Sequence, residues 1–250
     1  SEAGMLSVTG TPEEPCKTGN SIADIAAGMY AFTSVLSALL LRQRTGVGSR
    51  IDVSMLEALT EWMGFPLYYA FEGAEPPART GASHASIYPY GPFRAGDGGT
   101  VMLGLQNERE WKVFCAEVLG DPALATDPRF ATNPLRHENR DALRALIEQA
   151  FAALDSEQVL ERLDKVGIAR ARMNTMADLW AHPQLAAREA WAQVGSPAGP
   201  IPALRPPGRS NAFDARMDPI PRLGEHTDAI LGELGLSPSD IDRMRQAAAI

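Results

Sequence analysis

A polar loop at residues 79–88 carries side chains that are suited to binding a small anion. Its sequence is RTGASHASIY. The guanidinium of Arg79 could hold a carboxylate through two parallel hydrogen bonds. The imidazole of His84 could donate a hydrogen bond to a carboxylate or to an oxyanion. Two plainer roles stay open, because His84 could bond only to backbone groups and Arg79 could be a solvated surface arginine.

A second polar group lies near the end of the sequence, in LGEHTD at residues 223–228. His226, with Glu225 and Asp228, could form a metal or acid/base cluster. However, a helix is expected to start at His226 or Thr227, which could cap it. This helix carries an apolar stripe formed by Ile230, Leu231 and Leu234. The stripe favours a docked helix whose polar residues cap its start, so no metal site is predicted.

The first part of the chain is predicted to contain two helices joined by a strand. Ser21 and Asp24 match a capping box for a helix that runs to about Arg42. Two glycines then turn the chain into a strand at 50–53, and a helix capped by Ser54 follows through about residue 69. A strand between two helices predicts an α/β unit. The glycines precede the strand, whereas a dinucleotide-binding loop places them after it.

The middle of the chain is predicted to form a small α+β domain over residues 85–188. Alternating apolar residues on both sides of the turn GDGG predict a β-hairpin over about 88–105. The other predicted elements are a helix that begins at Asn107, helices near 136–154 and 156–166, and an extended piece near 169–173.

Prolines are frequent from residue 197 to 221, where few stretches are compatible with a helix. Such a stretch is either a disordered tail or an extended strap across another surface. A strap is favoured because four large apolar residues interrupt the prolines: Ile201, Leu204, Phe213 and Ile220.

The composition excludes some classes of partner. The formal net charge of −8 argues against a nucleic acid, and it means that a phosphate-bearing ligand would need a local cluster of Arg or Lys. The longest apolar run, within residues 31–41, contains one threonine and two serines and is expected to be too short to cross a membrane. The two cysteines fit reduced thiols, which predicts a cytoplasmic protein.

Six stretches, in one order along the chain, resemble the class III CoA-transferase family. The most specific is P-x-P-x-L-G-E-H-T at residues 219–227. The other five are GMLSVTG followed by GNSIAD, RTGVGSRIDVSML, PYGPF followed by DG, DPRF, and HPQL. Together the six stretches span essentially all 250 residues.

The resemblance implies an α/β fold that is the C-terminal portion of a class III CoA-transferase, with part of a Rossmann-like large domain and a small α+β domain. It implies two interlocked subunits, and therefore a homodimer. The implied divisions are 1–71 in the large domain, 72–84 as linker and active-site loop, 85–188 as the small domain, 189–221 as the strap, and 222–250 as helices that return to the large domain.

By resemblance, loop 79–88 is the active-site loop, so Arg79 and His84 are candidate substrate-binding residues. Arg79 would hold the second carboxylate of a diacid. Family members similar to formyl-CoA transferase carry several glycines where this chain has residues 82–86, so the behaviour of a mobile lid is not implied. Met55 lies where a family methionine approaches the active site, although a lone methionine is more often part of a core.

The catalytic aspartate of the family would lie a few positions before Ser1, so no catalytic residue is expected in this chain. None of Asp24, Asp52 and Asp97 matches its position. In the family that aspartate attacks a CoA thioester and forms anhydride and thioester intermediates, and a carboxylic acid then accepts CoA.

The resemblance therefore implies an acyl-CoA:carboxylate CoA-transferase that uses a CoA thioester as substrate and needs no further cofactor or metal. Its partners would be an acyl-CoA and a small carboxylic acid. Two alternatives remain: a CoA-ester racemase or isomerase of the same superfamily, and a non-catalytic scaffold subunit.

Overall fold

The hydrophobic core lies between residues 88 and 168 in the computed structural model, which describes residues 1–250. A three-stranded antiparallel sheet packs there against a set of short helices. The largest fully buried side chains are Trp111, Phe93, Phe114, Phe130 and Phe151. The chain divides into two units, Ser1–Met173 and Asn174–Ile250, and the first unit contains this core.

Residues 1–73 form helices with few buried side chains. The helices are α1 (Met5–Val8), α2 (Ile22–Thr45) and α3 (Met55–Tyr69), and a 3₁₀ turn follows at Phe71–Gly73. The predicted cap of α3 is confirmed, because the Ser54 hydroxyl accepts a hydrogen bond from the Glu57 amide at 3.3 Å. The capping box at the start of α2 was wrong, since the Ser21 side chain makes no capping hydrogen bond.

The predicted strand at 50–53 is also not formed. A β-strand exists only beside a strand that exchanges hydrogen bonds with it. The sheets of this chain are built from later residues, and none of their strands pairs with this segment. The segment connects α2 to α3 without regular structure, so the predicted α/β unit is not completed within the chain.

The sheet of the first unit confirms the predicted hairpin and the extended piece after it. Strands β1 (Tyr90–Arg94), β2 (Thr100–Gly104) and β3 (Ala169–Arg172) lie in the order β1-β2-β3, and both pairs are antiparallel. The helices between β2 and β3 are α4 (Glu108–Val113), which continues as a π-helical turn at Phe114–Val118, a 3₁₀ helix at Pro122–Thr126, and α5 (Asn133–Glu138), α6 (Arg140–Phe151) and α7 (Ser156–Lys165).

The second unit is made of short elements. They are α8 (Met176–Trp180), α9 (Pro183–Ala187), a hairpin of β4 (Trp191–Val194) and β5 (Ile201–Leu204), α10 (Thr227–Glu233) and α11 (Pro238–Gln246). The hairpin lies inside the stretch predicted as a strap, and residues 205–222 contain neither helix nor strand. Gly235 follows the end of α10 with a φ of 89°, and His226 does not provide the expected side-chain cap at its start.

Helix α2 leaves most of its apolar side chains exposed. Ala26 is its only buried residue, whereas Phe32 is 65% exposed and Leu40 is 63% exposed. The expectation that this region is too short to cross a membrane was wrong, because the 24-residue helix is long and apolar enough by length and composition alone. The core helix of a water-soluble protein or a signal sequence meets the same criterion, so the helix does not by itself indicate a membrane protein.

We expect the 250-residue chain to bind a hydrophobic dye through this face of α2, because exposed apolar patches of this kind adsorb apolar molecules. The double variant Phe32→Ser/Leu40→Ser should lower the dye fluorescence. Phe213→Ser, which removes an equally exposed aromatic ring from the second unit, is the matched control. A monodisperse chain that does not increase the fluorescence of the dye would contradict this account of the surface.

Candidate active site

A cavity of about 350 Å³ lies in the first unit, between the end of α3 and the loop that follows it. His84 and the loop residues around it form one side, and Phe65 and Tyr69 of α3 form another. The remaining lining is mostly small or apolar, with one carboxylate, Glu75. Small-molecule sites are commonly of this size and pair apolar walls with a few polar groups.

The ring of His84 is held in one orientation by its own loop. Its Nδ1 accepts hydrogen bonds from the amides of Ser86 and Ile87, both at 3.1 Å. The ring also stacks on Tyr90, with 5.2 Å between ring centroids. Because Nδ1 acts as an acceptor, the proton of the neutral ring lies on Nε2. Nε2 has no partner in the chain, so His84 bonds to backbone with one nitrogen and offers the other as a donor.

The backbone of the loop after His84 is fixed by side chains of α5. Asn133 accepts a hydrogen bond from the Tyr88 amide at 3.0 Å and donates one to the Ser86 carbonyl at 2.8 Å. His137 Nε2 lies 2.9 Å from the carbonyl oxygen of Ala85. These contacts hold the backbone of residues 85–88 in place, whereas a glycine-rich lid would be flexible.

Arg136 completes this anchor from within the core, where its side chain is 4% exposed. Its Nε donates to the Tyr88 carbonyl at 3.0 Å, and its Nη1 donates to the Phe130 carbonyl at 3.1 Å. The carboxylate of Glu108 accepts hydrogen bonds from both Nη groups of Arg136, at 2.8 and 3.0 Å. The hydrogen bond from Arg136 holds the pKa of Glu108 below its ordinary value.

Strand β1 approaches the loop so closely that Gly91 has no room for a side chain. A Cβ at this position would lie 2.5 Å from the Ser83 hydroxyl and 3.0 Å from the Ser83 Cα. The His84 amide donates to the Tyr90 carbonyl at 2.9 Å in the same region. The loop therefore packs directly against β1, which is an edge strand of the sheet.

The last turn of α3, which lines the cavity, follows a kink in the helix. Gly64 has φ 35° and ψ −114°, a non-helical conformation with positive φ, and Pro66 lacks the amide proton that a regular helix would use. Phe65 and Tyr69 follow the kink as an edge-to-face pair with 5.9 Å between ring centroids. The continuous helix predicted through residue 69 does not include this kink, although Gly64 and Pro66 are residues that interrupt helices.

The structure does not bring the other two predicted residues into the cavity. Arg79 donates from Nε to the Thr11 carbonyl at 2.8 Å and from Nη2 to the Pro12 carbonyl at 2.9 Å, and it is not a lining residue. Met55 begins α3, at the opposite end of the helix from Tyr69, and is half exposed. The roles predicted for both residues stay predictions.

The carboxylates considered from the sequence have structural partners or lie outside the cavity. Asp97 accepts hydrogen bonds from Ser156 and Gly99, which lower its pKa, the Ser156 amide having the largest effect. Asp52 pairs with Arg50 at 2.9 Å, and Asp24 does not line the cavity.

The polar residues near the end of the chain do not gather around a common point. Glu225 accepts a hydrogen bond from the Arg222 amide at 2.7 Å, and Asp228 pairs with Arg245. No group of three or more His, Cys, Asp or Glu residues in the chain is arranged to hold a metal ion.

Comparison with known proteins identifies the class to which this fold and site belong. Residues 1–227 match CoA-transferase family III, and the chain belongs to this family. A crystal structure of a CAIB/BAIF family protein from Brucella suis is similar, with a TM-score of 0.78 and 35% identity, over 93% of this chain and 60% of that one.

Among curated relatives, an acyl-CoA transferase from Fusarium pseudograminearum is 34% identical over 100% of this chain and 55% of its own length. An acetyl-CoA:oxalate CoA-transferase from Acetobacter aceti is 33% identical over 80% of this chain and 52% of its own length. The chain thus spans about half the length of these relatives, which is consistent with the portion of the family fold expected from the sequence.

We expect Glu108→Gln to destabilise the chain by about 1–2 kcal/mol at neutral pH, a value reduced because the Glu108 side chain is half exposed. The folded state lowers the pKa of Glu108, so this contribution is present above the ordinary value of 4.5 and is lost as the pH falls through the lower folded pKa. Urea unfolding of the wild-type chain and of Glu108→Gln, measured from neutral to acidic pH, should show that their free energies of unfolding converge in acid. Glu138→Gln, on exposed α5 surface, is the control. A difference that persists unchanged in acid would mean that charge at Glu108 is not involved.

Proposed function

We propose that this chain is part of an acyl-CoA:carboxylate CoA-transferase, and that its cavity beside His84 holds the acyl or carboxylate group. Membership of CoA-transferase family III supports this function. The observation that carries it is the free Nε2–H of His84 at a cavity with apolar walls. A donor fixed by its surroundings stabilises a carboxylate ground state and the oxyanion formed during acyl transfer.

The proposed reaction exchanges CoA reversibly between a thioester and an acid. A carboxylate of the enzyme attacks the thioester carbonyl and forms a mixed anhydride, and the C–S bond breaks to release CoA as thiolate. The thiolate then attacks the enzyme's carbonyl carbon, which gives an enzyme thioester and frees the first acid. The acceptor acid repeats the two steps in reverse, so the enzyme carboxylate is regenerated.

We place the attacking aspartate outside these 250 residues. Two observations support this: the chain spans about half the length of its curated relatives, and no aspartate lines the cavity. The substrates proposed are an acyl-CoA and a small carboxylic acid. No cofactor beyond the CoA thioester is included in the proposal.

The proposal extends to two copies of the protein that associate in the cytoplasm. The exposed apolar face of α2 supports an interface with other polypeptide. The cysteines are unpaired, as expected in a reducing compartment. Cys115 is also unreactive, because burial raises the pKa of its thiol to about 12.

The product of the whole gene that encodes this chain should exchange CoA between acyl-CoA donors and acids, whereas the 250 residues alone should not. Acetyl-, formyl- and succinyl-CoA are assayed against a panel of acids, with heat-treated protein as the blank. Exchange by the 250-residue chain would place the nucleophile within it. Exchange of the α-proton of an acyl-CoA without CoA transfer would support a racemase instead.

In the whole gene product, His84→Ala should lower kcat/KM for the acceptor acid about ten- to a hundredfold, because one charge-assisted hydrogen bond is lost. The covalent enzyme–acyl species formed from the donor should still be trapped, since His84 is not the nucleophile. His182→Ala, in the second unit, is the control. Unchanged acceptor kinetics would remove His84 from the site, and loss of the trapped species would show that it takes part in the covalent step.

A further inference from the structure

The part of the cavity that these 250 residues form offers one donor for a carboxylate, at His84, and no cation for a second carboxylate. His84 supplies a donor through Nε2, while no lysine or arginine is among the lining residues. The nearest cation along the loop, Arg79, donates to two backbone carbonyls instead. A second carboxylate in this cavity would therefore find no cationic partner among these residues.

Glu75 adds an unfavourable interaction for such a group. Its carboxylate lines the same cavity and has no hydrogen-bond or ion-pair partner in the chain. Two like charges about 4 Å apart repel each other even in water, and more strongly near the low-dielectric surface of a protein. A diacid that places one end at His84 would bring its other end into the field of Glu75.

The remaining wall is suited to an apolar group. Phe65 and Tyr69 are 64% and 61% exposed. They form an edge-to-face pair directly after the kink at Gly64. Pro66, Pro77 and Val8 extend this surface. An aryl or branched alkyl group would gain contacts with these side chains that a short diacid cannot make.

We infer that the enzyme prefers an acid with one carboxylate and an apolar body, with Phe65 and Tyr69 recognising the body and Glu75 discriminating against diacids. This inference rests on the proposed function. It differs from the diacid role predicted for Arg79, and from the relative of Acetobacter aceti, whose name contains the diacid oxalate.

The test compares 3-phenylpropionate with succinate as CoA acceptors for the whole gene product. We expect the wild-type enzyme to prefer 3-phenylpropionate. Glu75→Gln should raise kcat/KM for succinate about three- to tenfold and change that for 3-phenylpropionate less than about twofold. Phe65→Ala should lower kcat/KM for 3-phenylpropionate about tenfold more than that for acetate.

Glu72→Gln makes the same charge change three residues from Glu75 but outside the cavity, and both acids should react with it as with the wild type. A wild-type preference for succinate that Glu75→Gln leaves unchanged would overturn the inference. Loss of all exchange in Glu75→Gln would also overturn it, because Glu75 would then be a nucleophile.

Binding of the same acids, measured by calorimetry, separates this inference from the proposed function. Tighter binding of 3-phenylpropionate than of succinate, weakened in Phe65→Ala, would support the inference even if no CoA exchange were found. Equal binding of both acids in all variants would overturn it, whatever the enzyme's activity.

Discussion

The guanidinium of Arg136 is the only charged group buried in this chain, and its hydrogen bonds fix the loop that carries the site. A buried cation is tolerated only where its donors are satisfied. Arg136 meets this requirement with the Glu108 carboxylate, the carbonyls of Tyr88 and Phe130, and the ring of Trp111 at 4.9 Å. Since one of these acceptors is loop backbone, the core and the site are stabilised by the same interaction. The loop can move away only if the buried charge loses a partner.

The consequence for chemistry is a histidine with a defined tautomer. The loop conformation that Arg136 and Asn133 maintain directs two amides at Nδ1 of His84, and this leaves Nε2 as the donor. A donor that is already oriented needs no reorganisation when charge develops on a substrate oxygen. In the proposed site, Phe65 and Tyr69 form an aromatic wall for the apolar body of the acid, while His84 binds its carboxylate.

Many local signals in the sequence predicted local structure, although the caps expected at Ser21 and His226 do not form and the kink at Gly64 was not predicted. The hairpin around Gly96–Gly99, the cap at Ser54 and the helix start at Asn107 are each determined by a few neighbouring residues, and each is confirmed. Features that depend on distant residues were missed or wrong. The strand at 50–53 has no pairing partner in the chain, and the role of Arg136 depends on residues 28 and 48 positions away. Residues 79–88 were selected by resemblance. Only the structure shows that His84 lines the cavity and that Arg79 donates hydrogen bonds to the carbonyls of Thr11 and Pro12.

The most direct measurement is nitrogen NMR of the chain labelled with ¹⁵N-histidine, with the His84 signals assigned by comparison with His84→Gln. The account predicts that Nδ1 of His84 accepts hydrogen bonds and that Nε2 carries the proton. It also predicts that added acetate shifts the Nε2 resonance while Nδ1, which is held by Ser86 and Ile87, changes little. A ring protonated on Nδ1, or a ring whose two resonances do not respond to acetate, would contradict the central claim that His84 Nε2 is the carboxylate donor of this site.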